Sequence, residues 1–217
     1  MQKMNNQAKI LTVLASPRVN GLTAQLLEAA ENRLQEEGAE ILRINVSELQ
    51  FKACRACMKC RQSGMCHLPF DDAHKVDQYL LECDGLIVAT PTYLGGLPGE
   101  TKMLFDRLVS ALMDTSGKNR MLPLPRHTGK PMGVIVTSSA QWPFNVMSRI
   151  CDTSGTLRRI FTPSGFEFVS TMRLGNTKKI LALKPADIGR AEKMAHKVSA
   201  KAQIYFARQQ KFSKFAK

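Results

Sequence analysis

The sequence predicts a doubly wound α/β fold: a five-stranded parallel sheet with helices on both faces. Three observations carry this expectation. Five strand-then-helix units alternate along the chain, and parallel strands need such helical crossovers of one hand. The run Leu86–Ala89, bounded by Gly85 and Pro91, is continuously apolar, as a central strand covered on both faces is. The segments that follow the first, third and fourth strands are rich in Ser, Thr, Asn, Gly and Pro, which suits loops that gather at one edge of the sheet.

Taken in order, Ile10–Ala15 is a short apolar run, and Thr23–Glu37 places Leu26, Leu27, Ala30 and Leu34 at helical spacing before Gly38 stops it. Glu40–Val46 alternates Ile41, Leu42, Ile44 and Val46 as a second strand. Phe51–Phe70 is cysteine-rich and follows neither period. Asp71 or Asp72 can cap a helix that runs to about Leu81, because a short carboxylate accepts the free amide hydrogens of a first turn. The helix after the third strand runs to about Met113. Asp114–Lys130 is then a polar connection long enough to cover a site or meet a partner subunit. Pro131–Ser138 supplies the fourth strand, Phe144–Phe161 a helix and Phe166–Met172 the fifth strand. Ala186–Gln209 closes the chain as a helix with Ile188, Ala191, Met194, Val198, Ala202 and Tyr205 on one side. Within this class the strand order 2-1-3-4-5 sets a ligand crevice outside the carboxyl ends of strands 1, 3 and 4.

Composition limits the function. The 217 residues, 44% hydrophobic, make one domain with its own core the better prior, with a cysteine-rich insertion at 51–70 and a basic helix and tail at 186–217. A formal charge of +13 creates a positive potential that draws anions without naming them. Lys193, Lys197, Lys201, Arg208, Lys211, Lys214 and Lys217 recur in the last helix. They read as a solvated face and tail, because no nucleic-acid motif accompanies them. Met1–Lys9 lacks the apolar centre of a signal peptide, and no apolar run approaches bilayer length, so a cytoplasmic protein with no membrane partner is expected. In a reducing compartment the six cysteines call for metal, redox chemistry or packing rather than a disulfide framework.

Three loops carry the chemistry. After the first strand, Ser16, Arg18, Asn20, Gly21, Leu22 and Thr23 lead into a helix, so hydroxyls, an amide, a guanidinium and free backbone N–H groups can converge on one phosphate. Neither Gly-x-Gly-x-x-Gly nor Gly-Lys-Ser/Thr is present, which argues against a Rossmann dinucleotide site and a nucleoside triphosphatase. After the third strand, Pro91, Thr92, Tyr93, Leu94, Gly95 and Gly96 hold the backbone open for a flat, polar-edged ligand. Thr137, Ser138, Ser139 and Ala140, followed by Gln141 and Trp142, close the other side. Phosphate at one end and a flat ring on backbone at the other describe a mononucleotide cofactor.

Cys54, Cys57, Cys60 and Cys66 are spaced C-x2-C-x2-C-x5-C. Such steps can wrap a [4Fe–4S] cluster, although the last spacing is longer than in the bacterial ferredoxin run and no proline follows Cys66. Zinc and free or oxidised thiols are the competing readings. Lys52, Arg55, Lys59 and Arg61 are expected to lower the thiol pKa values. Cys83 and Cys151 sit in helical patterns and read as buried packing residues. Of the histidines, only His67, beside Cys66, is placed to matter.

Ser-Pro-Arg-x-Asn-Gly-x-Thr at Ser16–Thr23, Thr-Pro-Thr-Tyr-x-Gly-Gly at Thr90–Gly96 and Lys102-x-x-x-Asp106-Arg107 resemble the flavodoxin-like NAD(P)H-dependent FMN reductases, in particular the iron–sulfur flavoproteins. The resemblance covers most of Lys9–Gly175. It implies a flavodoxin-like fold, FMN with its phosphate on Ser16, Arg18, Asn20 and Thr23, and a flavin ring on Pro91–Gly96. It further implies reduced nicotinamide as hydride donor, an electron acceptor, and a homodimer or homotetramer whose cysteine segment reaches toward a neighbouring subunit's flavin. Leu94 stands where many relatives carry an aromatic. Trp142 and Phe144 either cover the open ring face or join the core. Two other classes share these features: an electron carrier without nicotinamide reactivity, and a redox-sensing regulatory protein.

Overall fold

A computed structural model describes residues 7–114, 116, 122–147 and 151–215, the last four of these by backbone alone. The polar N-terminus up to residue 6, most of the expected connection between 115 and 121, residues 148–150 of the expected helix, the Lys214 side chain and Lys217 lie outside the described residues.

The strands are β1 (Lys9–Leu14), β2 (Glu40–Asn45), β3 (Gly85–Pro91), β4 (Met113–Asp114), β5 (Leu124–Pro125), β6 (Pro131–Thr137) and β7 (Glu167–Leu174). The helices are α1 (Leu22–Glu36), α2 (Cys60–Ser63), α3 (Asp72–Glu82), α4 (Gly99–Arg107), α5 (Val109–Leu112), α6 (Thr153–Phe161) and α7 (Pro185–Phe215). Five strands form one parallel sheet in the order β2-β1-β3-β6-β7. That is the order expected from sequence, with β6 and β7 as its fourth and fifth strands. The two-residue strands β4 and β5 pair antiparallel at the mouth of the long connection.

Alternation along each strand builds two core layers. Leu11 and Val13 of β1 join Val76 and Leu80 of α3 and Leu104 of α4. Ile10 and Leu14 point the other way, into Leu26, Leu27 and Leu34 of α1 and Met194 and Val198 of α7. All seven residues of β3 and of β6 are buried, which is why their sequence is a continuous apolar run rather than an amphipathic one. No described helix is long and apolar enough to cross a membrane.

Two expected helices differ from the structure. The helix after β3 breaks at Leu108, whose N–H is shared between Leu104 O (3.1 Å) and Phe105 O (3.2 Å), so the turn tightens and α5 starts afresh. The helix expected from Phe144 begins only at Thr153; Phe144–Val146 is an isolated 3₁₀ turn. Phe144, Val146 and Met147 are exposed, so they bury no apolar face that would hold a helix there. Cys83 and Cys151 are buried as expected, but Cys151 lies ahead of α6 rather than within it.

α3 is fixed at both ends. Asp71 is the cap: its carboxylate accepts from Ala73 N (3.2 Å), and its own N–H donates to His74 Nδ1 (3.1 Å). At the other end the buried Lys130 Nζ donates to the carbonyls of Leu80 (3.1 Å) and Leu81 (3.0 Å).

The closing helix crosses β6 at Gly133, where a Cβ would lie 2.3 Å from Met194 Sδ and 2.8 Å from Val198 Cγ2. Gly133→Ala is therefore expected to destabilise the fold by about 1–3 kcal/mol through overpacking. Urea unfolding should show this as a lower midpoint at unchanged slope.

Candidate functional site

Where β1, β3 and β6 end side by side, their loops enclose a cavity of about 550 Å³, within the range of small-molecule sites. The first wall comes from Ser16, Arg18, Gly21, Leu22 and Thr23. Ser16 Oγ accepts from Arg18 N (3.2 Å), and Gly21 N donates to Arg18 O (3.1 Å), so the loop is folded onto itself. Gly21 is extended (φ −77°, ψ 172°) and no side chain caps α1. The first turn of a 15-residue helix thus presents its amide hydrogens and dipole without an internal anion.

The second wall is Pro91, Thr92, Tyr93 and Leu94. Tyr93 and Gly96 exchange both backbone hydrogen bonds (3.0 and 2.9 Å), closing a tight turn over Leu94 (φ 48°) and Gly95 (φ 81°). A leucine at positive φ is uncommon, and here it holds the side chain at full exposure on the cavity rim. The third wall is Thr137, Ser138 and Ser139. Thr137 joins all three loops: its carbonyl accepts from Thr92 N (2.7 Å), and its hydroxyl shares a 2.7 Å hydrogen bond with Thr23.

Four of the sequence-derived positions are not part of the lining. Asn20 O accepts from Gln25 Nε2 (3.1 Å), Gly95 O from Asp152 N (2.8 Å), and Ala140 O from Asn176 N (2.9 Å). Gly96 O takes Thr153 Oγ1 (3.1 Å) as well as Tyr93 N. They shape the loops through their carbonyls. Thr177 and Lys178, in the turn after β7, line the cavity although no motif marked them. Arg18 and Lys178 are its cations, and among the described residues no carboxylate and no histidine lines it. Trp142 and Phe144 are 78% and 46% exposed, which rules out the core role and leaves them outside the lining.

The four thiols of Cys54, Cys57, Cys60 and Cys66 line a second cavity, about 350 Å³, together with His67, Arg107, Val109, Met113 and Pro123. The chain between the first three curls through left-handed residues at Ala56 (φ 51°) and Met58 (φ 60°). Both are uncommon conformations for side-chain-bearing residues. Gly64 (φ 75°) then ends α2 and turns the chain toward Cys66. His67 Nε2 lies 2.6 Å from Ser63 Oγ. Among the described residues no group of three or more His, Cys, Asp or Glu side chains is set to hold a metal ion. The thiols share a hollow without closing on a point.

Burial, then the neighbouring Cys54, Cys57 and Cys66, pushes the Cys60 thiol above its ordinary range. At Cys60 this runs opposite to the expected lowering. Lys52, Arg55, Lys59 and Arg61 are all exposed and screened by water, whereas the thiols face one another. Burial would raise Asp71 too, but Arg107, the Lys52 N–H and His74 hold its carboxyl below the ordinary range. Six residues on, burial pushes Asp77 up to about 6 against the opposing pull of His74 and Arg107. Its Oδ1 has no partner among the described residues.

Residues 8–163 match the family model described as NADPH-dependent FMN reductase. The chain is 34% identical over 99 residues to an iron-sulfur flavoprotein of Methanocaldococcus jannaschii, covering 46% of this chain and 51% of that one. It is 34% identical over 101 residues to one of Methanosarcina thermophila, at 46% and 52%. Each match takes in about half the length of the curated relative. Among solved structures, an NADH:FMN oxidoreductase in its apo form superposes with a TM-score of 0.63 at 20% identity, over 89% of each chain, which establishes the shared fold.

Asp77 gives a pH-dependent test. Its folded-state pKa, near 6, exceeds the unfolded value of 3.8, so its ionisation above pH 6 destabilises the fold, and that cost fades as pH falls toward 4. Asp77→Asn should therefore stabilise the protein at pH 7.5 by on the order of 1–2 kcal/mol. The gain over wild type should vanish by pH 4 in paired denaturant titrations.

Proposed function

The chain belongs to the NADPH-dependent FMN reductase family, and from that premise we propose an FMN-dependent oxidoreductase that takes hydride from NADPH or NADH and delivers electrons to an acceptor. We place a [4Fe–4S] cluster on Cys54, Cys57, Cys60 and Cys66. The observation that carries the reading is one cavity with an uncapped helix start, Ser16, Arg18 and Thr23 on one wall and an open peptide loop, Pro91–Leu94, on another.

Bound FMN supplies a ring that accepts two electrons as hydride from reduced nicotinamide. The chain's part is binding, orientation and electrostatics. The amide hydrogens of the α1 first turn, with the Ser16 and Thr23 hydroxyls and the Arg18 guanidinium, suit a phosphate. Lys178 adds positive charge without a competing carboxylate. Pro91, Thr92 and the Tyr93–Gly96 turn give the ring a wall of peptide, and Thr137–Ser139 close it on the other side. Among the described residues none lining the cavity is an acid or base suited to proton transfer near neutral pH, which agrees with a hydride step that requires none.

A thiolate-bound cluster supplies a one-electron carrier. What supports it here is the set of four thiols on one hollow, the left-handed turns at Ala56 and Met58 that bring them there, and the naming of relatives as iron-sulfur flavoproteins. A single zinc ion, bonded at about 2.3 Å to each sulfur, would require a tighter convergence. A cubane spreads its four ligands over four irons.

Two measurements test this. Stoichiometric NADPH or NADH added anaerobically to the FMN-loaded protein should bleach the flavin absorbance; a spectrum unchanged by both refutes the reductase and leaves an electron carrier. Arg18→Ala should raise the FMN dissociation constant about tenfold, the equivalent of 1.4 kcal/mol, and flatten its salt dependence. Riboflavin, which lacks the phosphate, should bind both proteins alike by fluorescence titration. For the cluster, the anaerobically purified protein should contain iron and sulfide, and Cys57→Ser should lose both while retaining FMN.

A further inference from the structure

The Lys102-x-x-x-Asp106-Arg107 segment has no part in the nucleotide cavity. Lys102 and Asp106 pair with each other at 2.6 Å on the exposed side of α4. Arg107 turns inward, with 1% of its side chain exposed, and its guanidinium is committed to the cysteine segment. Nη1 donates to Lys52 O (2.6 Å), just ahead of Cys54, and to Asp71 Oδ2 (2.9 Å). Nη2 donates to Asp71 Oδ1 (3.0 Å), shortly after Cys66. One side chain therefore fastens both ends of residues 53–70. It also lines the four-thiol cavity, where it meets the Cys66 side chain, and its buried Nε–H has no acceptor among the described residues.

We propose that Arg107 is a positioning residue for the group bound in the cysteine cavity: it pins the stem of the segment and sets a guanidinium N–H donor against the Cys66 sulfur. The second half rests on the cluster reading above; the first does not. Two in-plane bonds to Asp71 fix the guanidinium's orientation, a geometry that lysine cannot reproduce. Hydrogen bonds to ligating sulfurs stabilise the reduced, more negative state of a cluster and so raise its potential. The segment's own cations, Lys52, Arg55, Lys59 and Arg61, are exposed and cannot replace a buried donor.

The test compares wild type, Arg107→Lys and Arg107→Gln as full chains, purified anaerobically with their cofactors. Hydrogen exchange of peptides spanning 52–71 should accelerate at least tenfold in Arg107→Gln and less in Arg107→Lys. Peptides of β3 and β6 and the FMN content should stay at wild-type values. In iron-containing protein the midpoint potential of the metal group should fall in Arg107→Gln by a tenfold change in equilibrium constant, 59 mV for one electron, with the flavin couple unmoved. Unchanged exchange in 52–71, or equal acceleration across the sheet in both variants, overturns the stem role. An unmoved metal potential overturns the donor role. Wild type free of iron would remove the cluster reading and with it the donor role, while the exchange comparison would still decide the stem.

Discussion

The cavity at the sheet's carboxyl edge depends on Thr137. The parallel register of β3 and β6 sets Pro91 opposite Thr137, at the point where both strands leave the sheet and their peptide groups lose further ladder partners. Thr137 replaces those partners in two directions at once. Its carbonyl takes the Thr92 N–H, which fixes the start of the peptide loop, and its hydroxyl meets Thr23 inside the first turn of α1. Both bonds are buried or nearly so, where an unmade polar bond is costly. The wall suited to a phosphate and the wall suited to a ring are therefore held in one relation by a single residue.

The same sheet edge explains why so few side chains need to reach into the cavity. A parallel sheet covered on both faces ends in loops, and these loops bond to each other through backbone: Ser138 N to Leu174 O (2.9 Å), Thr177 N to Ser138 O (3.1 Å), Asp152 N to Gly95 O (2.8 Å). Each such bond turns a loop into a fixed wall. Groups that hold a ligand by peptide edges are preorganised in this way, since no rotamer must be frozen on binding.

Much of this was legible in the sequence, for identifiable reasons. Strands buried on both faces announce themselves as apolar runs, so β1, β3 and β6 follow from pattern, whereas the strand order is one choice among those open to a doubly wound sheet, and the structure has that order. The loops after them carried Ser16, Arg18, Thr23 and Thr137 in recognisable company. Thr177 and Lys178 were invisible, because they enter the cavity from the turn after β7, which no local pattern distinguishes. The start of the helix expected over Phe144–Phe161 was not legible, since Phe144, Val146 and Met147 are exposed and form only a 3₁₀ turn and its end. The Cys60 shift went the opposite way because charge counted along the chain ignores which charges water screens and which face one another. Arg107 could be read only as part of a motif; its partners Lys52 and Asp71 are far off in sequence and meet it through the packing of α4 on the cysteine segment.

The basic character of the chain also divides once burial is considered. Most of the cations are solvated and contribute a diffuse attraction for anions. Arg107 and Lys130 are buried, and both act on α3. Arg107 grips Asp71 at its start, and Lys130 holds the carbonyls of Leu80 and Leu81 near its end. These placements oppose the usual penalty for a buried charge by supplying a carboxylate in one case and helix-end carbonyls in the other. They hold α3 at both ends. The cysteine segment has no regular structure beyond one short helix, so the left-handed turns that gather its four thiols have no ladder of backbone bonds to hold them. Its stem is held by what it is tied to, and its C-terminal tie is the capped start of this doubly held helix.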